Sequence, residues 1–214
     1  MDQEVDIISS ETRKEKIKNF IISKKKKIIA LVIFLILTLF SVIFYKEYEK
    51  GKRESLANKY NSTIIEYEKG DRSKLQNSMR EIIKDKDKTY SVLAFYYLLD
   101  NDLITSKKEI NEYFDILIDE IGLDTENKNL TIFKKGLFNS DFANENEMLS
   151  ILNPLIKSES IWKPHALYLM AEYYFAKKEK QKSKEFLEKI ISLEKANTKI
   201  KLQAQKRLRS DFSE

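Results

Sequence analysis

The sequence predicts an all-α protein with a single N-terminal transmembrane helix followed by an array of helix pairs. Three observations carry this. Only four of the 214 residues are Gly and two are Pro, while 34% are charged. Few breakers amid many Lys, Glu, Leu and Ile favour helices over a turn-rich sheet. Ile28 to Tyr45 is an apolar run of eighteen residues without a charge. Beyond it, apolar residues recur at three- and four-residue spacings, the period of an amphipathic helix.

The composition also excludes function classes. Cysteine is absent and His165 is the sole histidine. Disulfides, Cys-ligated metals and a Cys nucleophile are thereby ruled out, and a His-based metal site or triad is disfavoured. No glycine-rich phosphate loop or nucleophile elbow occurs. The chain reads as non-enzymatic, with no cofactor, metal or small-molecule substrate expected. An enzyme would need an acid/base pair such as Glu172 with Glu188, and nothing in the spacing demands one. The net charge is +5. Residues 1–27 carry eight Lys/Arg against five Asp/Glu, so most of the excess sits beside the apolar run. A nucleic-acid binder concentrates basic side chains on its folded domain, so no nucleic-acid partner is expected.

Three segments follow: a basic head (1–27), a transmembrane helix (28–45) and a helical domain (46–214). As a helix, Ile28 to Tyr45 spans about 27 Å, close to a bilayer's hydrocarbon thickness. It is apolar all round, and bulky Phe40 to Tyr45 offer no small-residue cleavage site. An uncleaved anchor is therefore expected. Eight Lys/Arg lie in the fifteen residues before it and five in the fifteen after. This bias predicts a cytoplasmic N-terminus and an exported C-terminal domain. Tyr45 and Tyr48 suit the headgroup level. In the head, Ile17, Phe20 and Ile21 lie at helical spacing among lysines. That fits a short amphipathic helix on anionic lipid, or equally a disordered leader that only sets topology.

After the anchor, Leu56, Ala57, Tyr60, Ile64 and Tyr67 mark one helical stripe, ended by Gly70-Asp71. Leu75, Met79, Ile82 and Ile83 mark the next, and Lys84 to Lys88 form a polar break. A repeat then emerges. Ala94, Tyr97, Ser106, Ile110 and Tyr113 recur 77 residues later as Ala171, Tyr174, Ser183, Leu187 and Ile190. A small residue lets a partner helix approach, an aromatic fills the gap, and a second small residue sits at the crossing. This resembles the tetratricopeptide repeat, a helix-turn-helix of about 34 residues. Asn101 and Lys178 stand at the turns. On the same alignment Phe95 matches Glu172 and faces out.

A degenerate pair is expected between. Leu130, Phe133, Leu137 and Phe138 mark its first helix. Met148, Leu149, Leu152 and Leu155 mark its second, with a loop at Asn139 to Glu147 between them and Asp119 to Lys128 as a loop before the pair. Pro164 opens the next helix, and Leu202, Ala204 and Leu208 form a closing one.

With these pieces placed, the chain resembles the ancillary SecYEG translocon subunit family, the YfgM-type membrane proteins with a tetratricopeptide-like domain. The residues that carry this are the basic head, the anchor, KTYSVLAFYYLLDNDL (88–103), and residues 152–191. Tyr90, Leu93 and Ala94 match the family's first repeat step. Trp162, Ala166 and Ala171 match its last. The resemblance implies a single-pass bacterial inner-membrane protein with a periplasmic domain. It further implies partners at the Sec translocon or among periplasmic chaperones. Ala is scarcer than in the family. A cell-envelope scaffold for division or peptidoglycan machinery is the alternative reading. Tyr96 and Tyr173 are the residues expected to line a binding groove. Tyr97 and Tyr174 are read as packing residues, Trp162 as a buried anchor between repeats, and His165 as a surface or capping residue.

Overall fold

The structure, a computed structural model, describes the backbone of residues 2–67, 70 and 72–212, and the side chains of 18, 20–66, 70 and 72–212. Asp71 and the side chains of Ile17 and Tyr67 therefore lie outside the described residues. All secondary structure among the described residues is helical: α1 (Asp2–Tyr67), α2 (Arg72–Lys84), α3 (Tyr90–Asp100), α4 (Lys107–Asp115), α5 (Thr125–Asn139), α6 (Glu145–Ile156), α7 (Lys163–Ala176), α8 (Lys180–Ser192) and α9 (Thr198–Phe212). A π-helical turn, Ile116–Glu120, extends α4. The chain divides into two units, Met1–Ser55 and Leu56–Glu214.

The first unit holds the apolar run inside α1. It is long and apolar enough to cross a membrane, and none of it is buried. Phe34 is 65% exposed and Phe44 74%.

The second unit repeats one burial pattern. In α3, α5 and α7 the inward positions follow 0, 3, 4, 7. They are Ser91, Ala94, Phe95 and Leu98; then Ile132, the half-buried Lys135, Gly136 and Asn139; then Leu167, Met170, Ala171 and Tyr174. Leu56, Tyr60 and Thr63 start the series in the end of α1. The alternate helices follow 0, 4, 7: Leu75, Met79, Ile82; Ile110, Phe114, Leu117; Met148, Leu152, Leu155; Ser183, Leu187, Ile190. The series opens at 56, 91, 132 and 167, so a helix pair recurs every 35, 41 and 35 residues. The longest interval contains the π-helical turn. α9 adds Ile200 and Ala204 against α7 and α8.

Chain neighbours pack together: α2 with α3, α5 with α6, α7 with α8, α8 with α9, and also α5 with α7. Small residues set how close. α7 and α8 approach closely where Ala171 and Ser183 are buried. α3 and α4 meet instead through rings, Phe95 lying 4.8 Å from Phe114 and 6.0 Å from Tyr113. At Gly136 an added Cβ would sit 2.5 Å from a Leu152 methyl, so α5 and α6 touch there backbone to side chain.

Helix ends repeat as well. α3 and α7 both end in a left-handed residue, Asp102 (φ 51°) and Lys178 (φ 66°). Leu103 N–H donates to Leu98 O and Glu179 N–H to Tyr174 O, closing the same Schellman loop. α2 ends likewise at Lys86 (φ 57°). There the buried Ser91 hydroxyl donates to Ile82 O (2.7 Å) and accepts from Asp87 N–H (2.9 Å), replacing the long-range loop bond. Asp124 caps α5, and Asn144 with Glu147 forms a capping box on α6.

These ends correct the repeat register. Equivalent positions in α3 and α7 lie 76 residues apart, as Leu98 and Tyr174 show, and those in α4 and α8 lie 73 apart, as Ile110 and Ser183 show. The α3–α4 connection is three residues longer than the α7–α8 turn. Phe95 therefore corresponds to Ala171, not to Glu172, and it is fully buried rather than outward. Ser106 is not at a helix crossing. It is exposed and caps α4, accepting from Glu109 N–H. Leu93 (44%), Leu137 (46%) and Leu202 (59%) are exposed, the inward places falling to Phe95, Gly136 and Ile200. Within 119–128, the first two residues complete the π-helical turn and α5 starts at Thr125, so only 121–124 form a loop.

Candidate functional site

The expected groove residues are not brought together. Tyr96 is half-buried against the core of α1–α4, with Lys134 Nζ 3.7 Å above its ring. Burial pushes its hydroxyl up to about 12. Tyr173 belongs to the separate α5–α7 core. It is 5% exposed, and its hydroxyl donates to Ala143 O (3.1 Å). It therefore ties α7 to the α5–α6 connection and lines no open surface. Tyr97 is half-buried and meets Tyr60 edge-on. Ala94, Ala171, Tyr174 and Ser183 are buried in the cores. The Tyr174 hydroxyl donates to Glu145 (2.9 Å), and burial chiefly raises it to about 12.

Three carboxylates join consecutive helix pairs. Glu109 accepts from Arg80 Nε (2.7 Å) and from the Tyr113 hydroxyl (2.8 Å). Glu145 accepts from Lys182 (2.9 Å). Glu172 forms a bidentate pair with Arg207 (2.8 and 2.9 Å), while Glu188 stays exposed. No cluster of His, Asp and Glu suited to a metal occurs among the described residues.

A concave feature lies elsewhere, where the α6–α7 and α8–α9 connections meet. A cavity of about 690 Å³ is lined by residues 159–165 and 192–197. That is within the roughly 300–1,000 Å³ that ligand pockets occupy. Its first wall is built locally. After α6, Ser158 donates to Leu155 O and accepts from Ser160 N–H. Ser160 Oγ accepts from Trp162 N–H (3.1 Å) and donates to Glu126 (2.9 Å), fixing the turn to α5. Trp162 then stacks on Phe133 of α5, with ring centroids 5.6 Å apart and a 24° tilt. His165 meets both rings, at 6.0 and 5.4 Å. Its Nδ1 is buried and finds no partner among the described residues. Trp162 is thus half-buried and lines the cavity, and His165 is a wall residue set edge-on to Phe133 and tilted against Trp162 rather than a cap. Ile161 stands 68% exposed beside them. The second wall holds Leu193, Ala196 and Asn197, whose Oδ1 accepts from Lys199 N–H at the start of α9.

The arrangement suits an apolar side chain held among aromatic rings, with Lys163, Glu194 and Lys195 around it. Sequence reasoning singled out Trp162 and His165 but could not join them to residues 193–197. The shared signal was local: two polar connections that each carry apolar residues. No protein-family model, curated protein or solved structure matches this chain.

Proposed function

We propose that this protein is a membrane-tethered, non-catalytic interaction module, with residues 56–214 forming a tetratricopeptide-like array. The observation that carries the reading is the contrast in apolar surface between its units. Every large apolar side chain from Ile29 to Tyr45 is at least 47% exposed. Each such side chain left in water forfeits about 1.5–3 kcal/mol, so lipid is its natural cover. The second unit buries its own apolar residues in helix pairs recurring at intervals near the 34 residues of that repeat.

The lysine bias supports a cytoplasmic N-terminus and an exported domain. The resemblance to the YfgM-type family supports placement in a bacterial inner membrane, near the Sec translocon and periplasmic chaperones. The cavity beside Trp162 supplies a place for a partner side chain. Tethering raises effective concentration, so modest intrinsic affinity suffices.

The chain has no cysteine, which makes topology testable by single substitutions. A membrane-impermeant maleimide should label Glu112→Cys in intact spheroplasts and label Ser23→Cys only after lysis. Detergent-solubilised membranes should then yield translocon or chaperone subunits with the protein. Reversed labelling removes the exported-domain reading. Recovery of division or peptidoglycan proteins instead assigns the scaffold role.

A further inference from the structure

We propose that the cavity and the adjoining basic face of α9 together dock an acidic polypeptide segment carrying one bulky apolar side chain. This rests on the interaction-module reading and names its partner chemistry.

Charge is distributed unevenly along the folded unit. From Lys195 to Ser210 there are six Lys/Arg and no Asp or Glu. Arg207 is committed to Glu172 and Asp211. Lys195, Lys199, Lys201 and Lys206 make no ion pair among the described residues. Lys199, Leu202, Lys206 and Arg209 recur at helical spacing, and all four are exposed. The stripe starts beside the cavity, because Lys195 and Asn197 line it and Lys199 follows two residues on. A ligand entering the cavity with an apolar side chain would extend its flanks along this stripe. Complementary potential there requires Asp and Glu.

The shape argues against a membrane surface as the occupant. A flat bilayer cannot fill a concavity walled by Trp162, Pro164, His165 and Leu193. A helix that lies in a bilayer also needs a continuous apolar face. The apolar face of α9, Ile200, Ala204 and Leu208, is already packed in the core, leaving Leu202 as its exposed large aliphatic residue.

The test is selection of phage-displayed random peptides on the full chain in neutral-lipid nanodiscs. Recovered peptides should be rich in Asp/Glu around one Trp, Phe or Leu, and their binding should weaken with salt. Lys199→Glu/Lys206→Glu and the cavity-filling Ala196→Trp should each weaken binding about tenfold, while Lys199→Arg/Lys206→Arg should not. Circular dichroism of each variant guards against misfolding. Neutral or basic peptides, no enrichment, or unchanged affinity in the charge variant would overturn the proposal. So would recruitment of phosphatidylglycerol vesicles that is lost in the charge variant but indifferent to Ala196→Trp. If partners are still captured in cells by the charge variant, the module reading stands and this one falls.

Discussion

Gly136→Ala tests the close contact of α5 with α6. Alanine normally gains about 0.5–1 kcal/mol over glycine inside a helix. Here its Cβ would lie 2.5 Å from Leu152 Cδ2, 3.1 Å from Leu152 Cγ and 3.3 Å from Leu169 Cδ2. Turning one methyl away does not relieve the Cγ contact, and Leu152 is fully buried. Overpacking of this kind costs about 1–3 kcal/mol. The net expectation is a loss of about 0.5–2 kcal/mol. Trp162, the sole tryptophan, stacks on Phe133 of the same helix. Its fluorescence can therefore follow urea unfolding of the detergent-solubilised chain. The sharper form is a double-mutant cycle. Leu152→Ala alone should cost about 2–5 kcal/mol. In that background only the 3.3 Å contact with Leu169 remains, and Gly136→Ala should turn stabilising, a coupling of about 1 kcal/mol or more. The same sign in both backgrounds would refute the packing described at Gly136.

Phe95→Ala should cost about 3–5 kcal/mol and Leu93→Ala under about 0.5; the reverse order in denaturation midpoints would restore the 77-residue register. Ser91→Ala strands the Asp87 N–H and leaves the Ile82 carbonyl only its 3.3 Å bond from Asp85 N–H, and should lower stability by about 1–2 kcal/mol, with faster amide exchange at Asp87. Arg80, chiefly by hydrogen bonding, holds the Glu109 carboxyl below its usual range. Its stabilising effect is therefore full above the ordinary carboxylate value of about 4.3 and is lost as pH falls through the lower folded value. Glu109→Gln should cost about 1 kcal/mol at neutral pH and nothing in strong acid. A gap between wild type and variant that persists in acid would contradict that pairing.

The helices were legible because their apolar spacing is local. Leu75, Met79, Ile82 and Ile83 sit at inward positions that a pattern search finds directly. What failed depended on connections. The register was anchored on Ala94 and Tyr97, yet helix ends fix equivalence, and three extra residues between α3 and α4 carry no pattern. Ser106 looked like a small packing residue because a capping serine has the same identity. Gly136 carries no apolar signal, since glycine in a helix reads as weakness, whereas here it is the contact. Tyr173 looked like a groove residue because aromatic sequence cannot show that its hydroxyl already has Ala143 O. The cavity was invisible because its two walls lie some thirty residues apart. The packing of α7 against α8 sets the start of one beside the end of the other, and so brings the two connections together.

If residues 56–214 present a partner site at this cavity, a crosslinker placed on its rim should capture that partner. Photo-crosslinking in living cells from a benzoyl-phenylalanine at Ile161, with exposed Glu185 as the control position, tests it most directly. Discrete protein adducts should form at Ile161 and vanish in the Ala196→Trp background. Adducts of equal yield at Glu185, or none at Ile161, would contradict it.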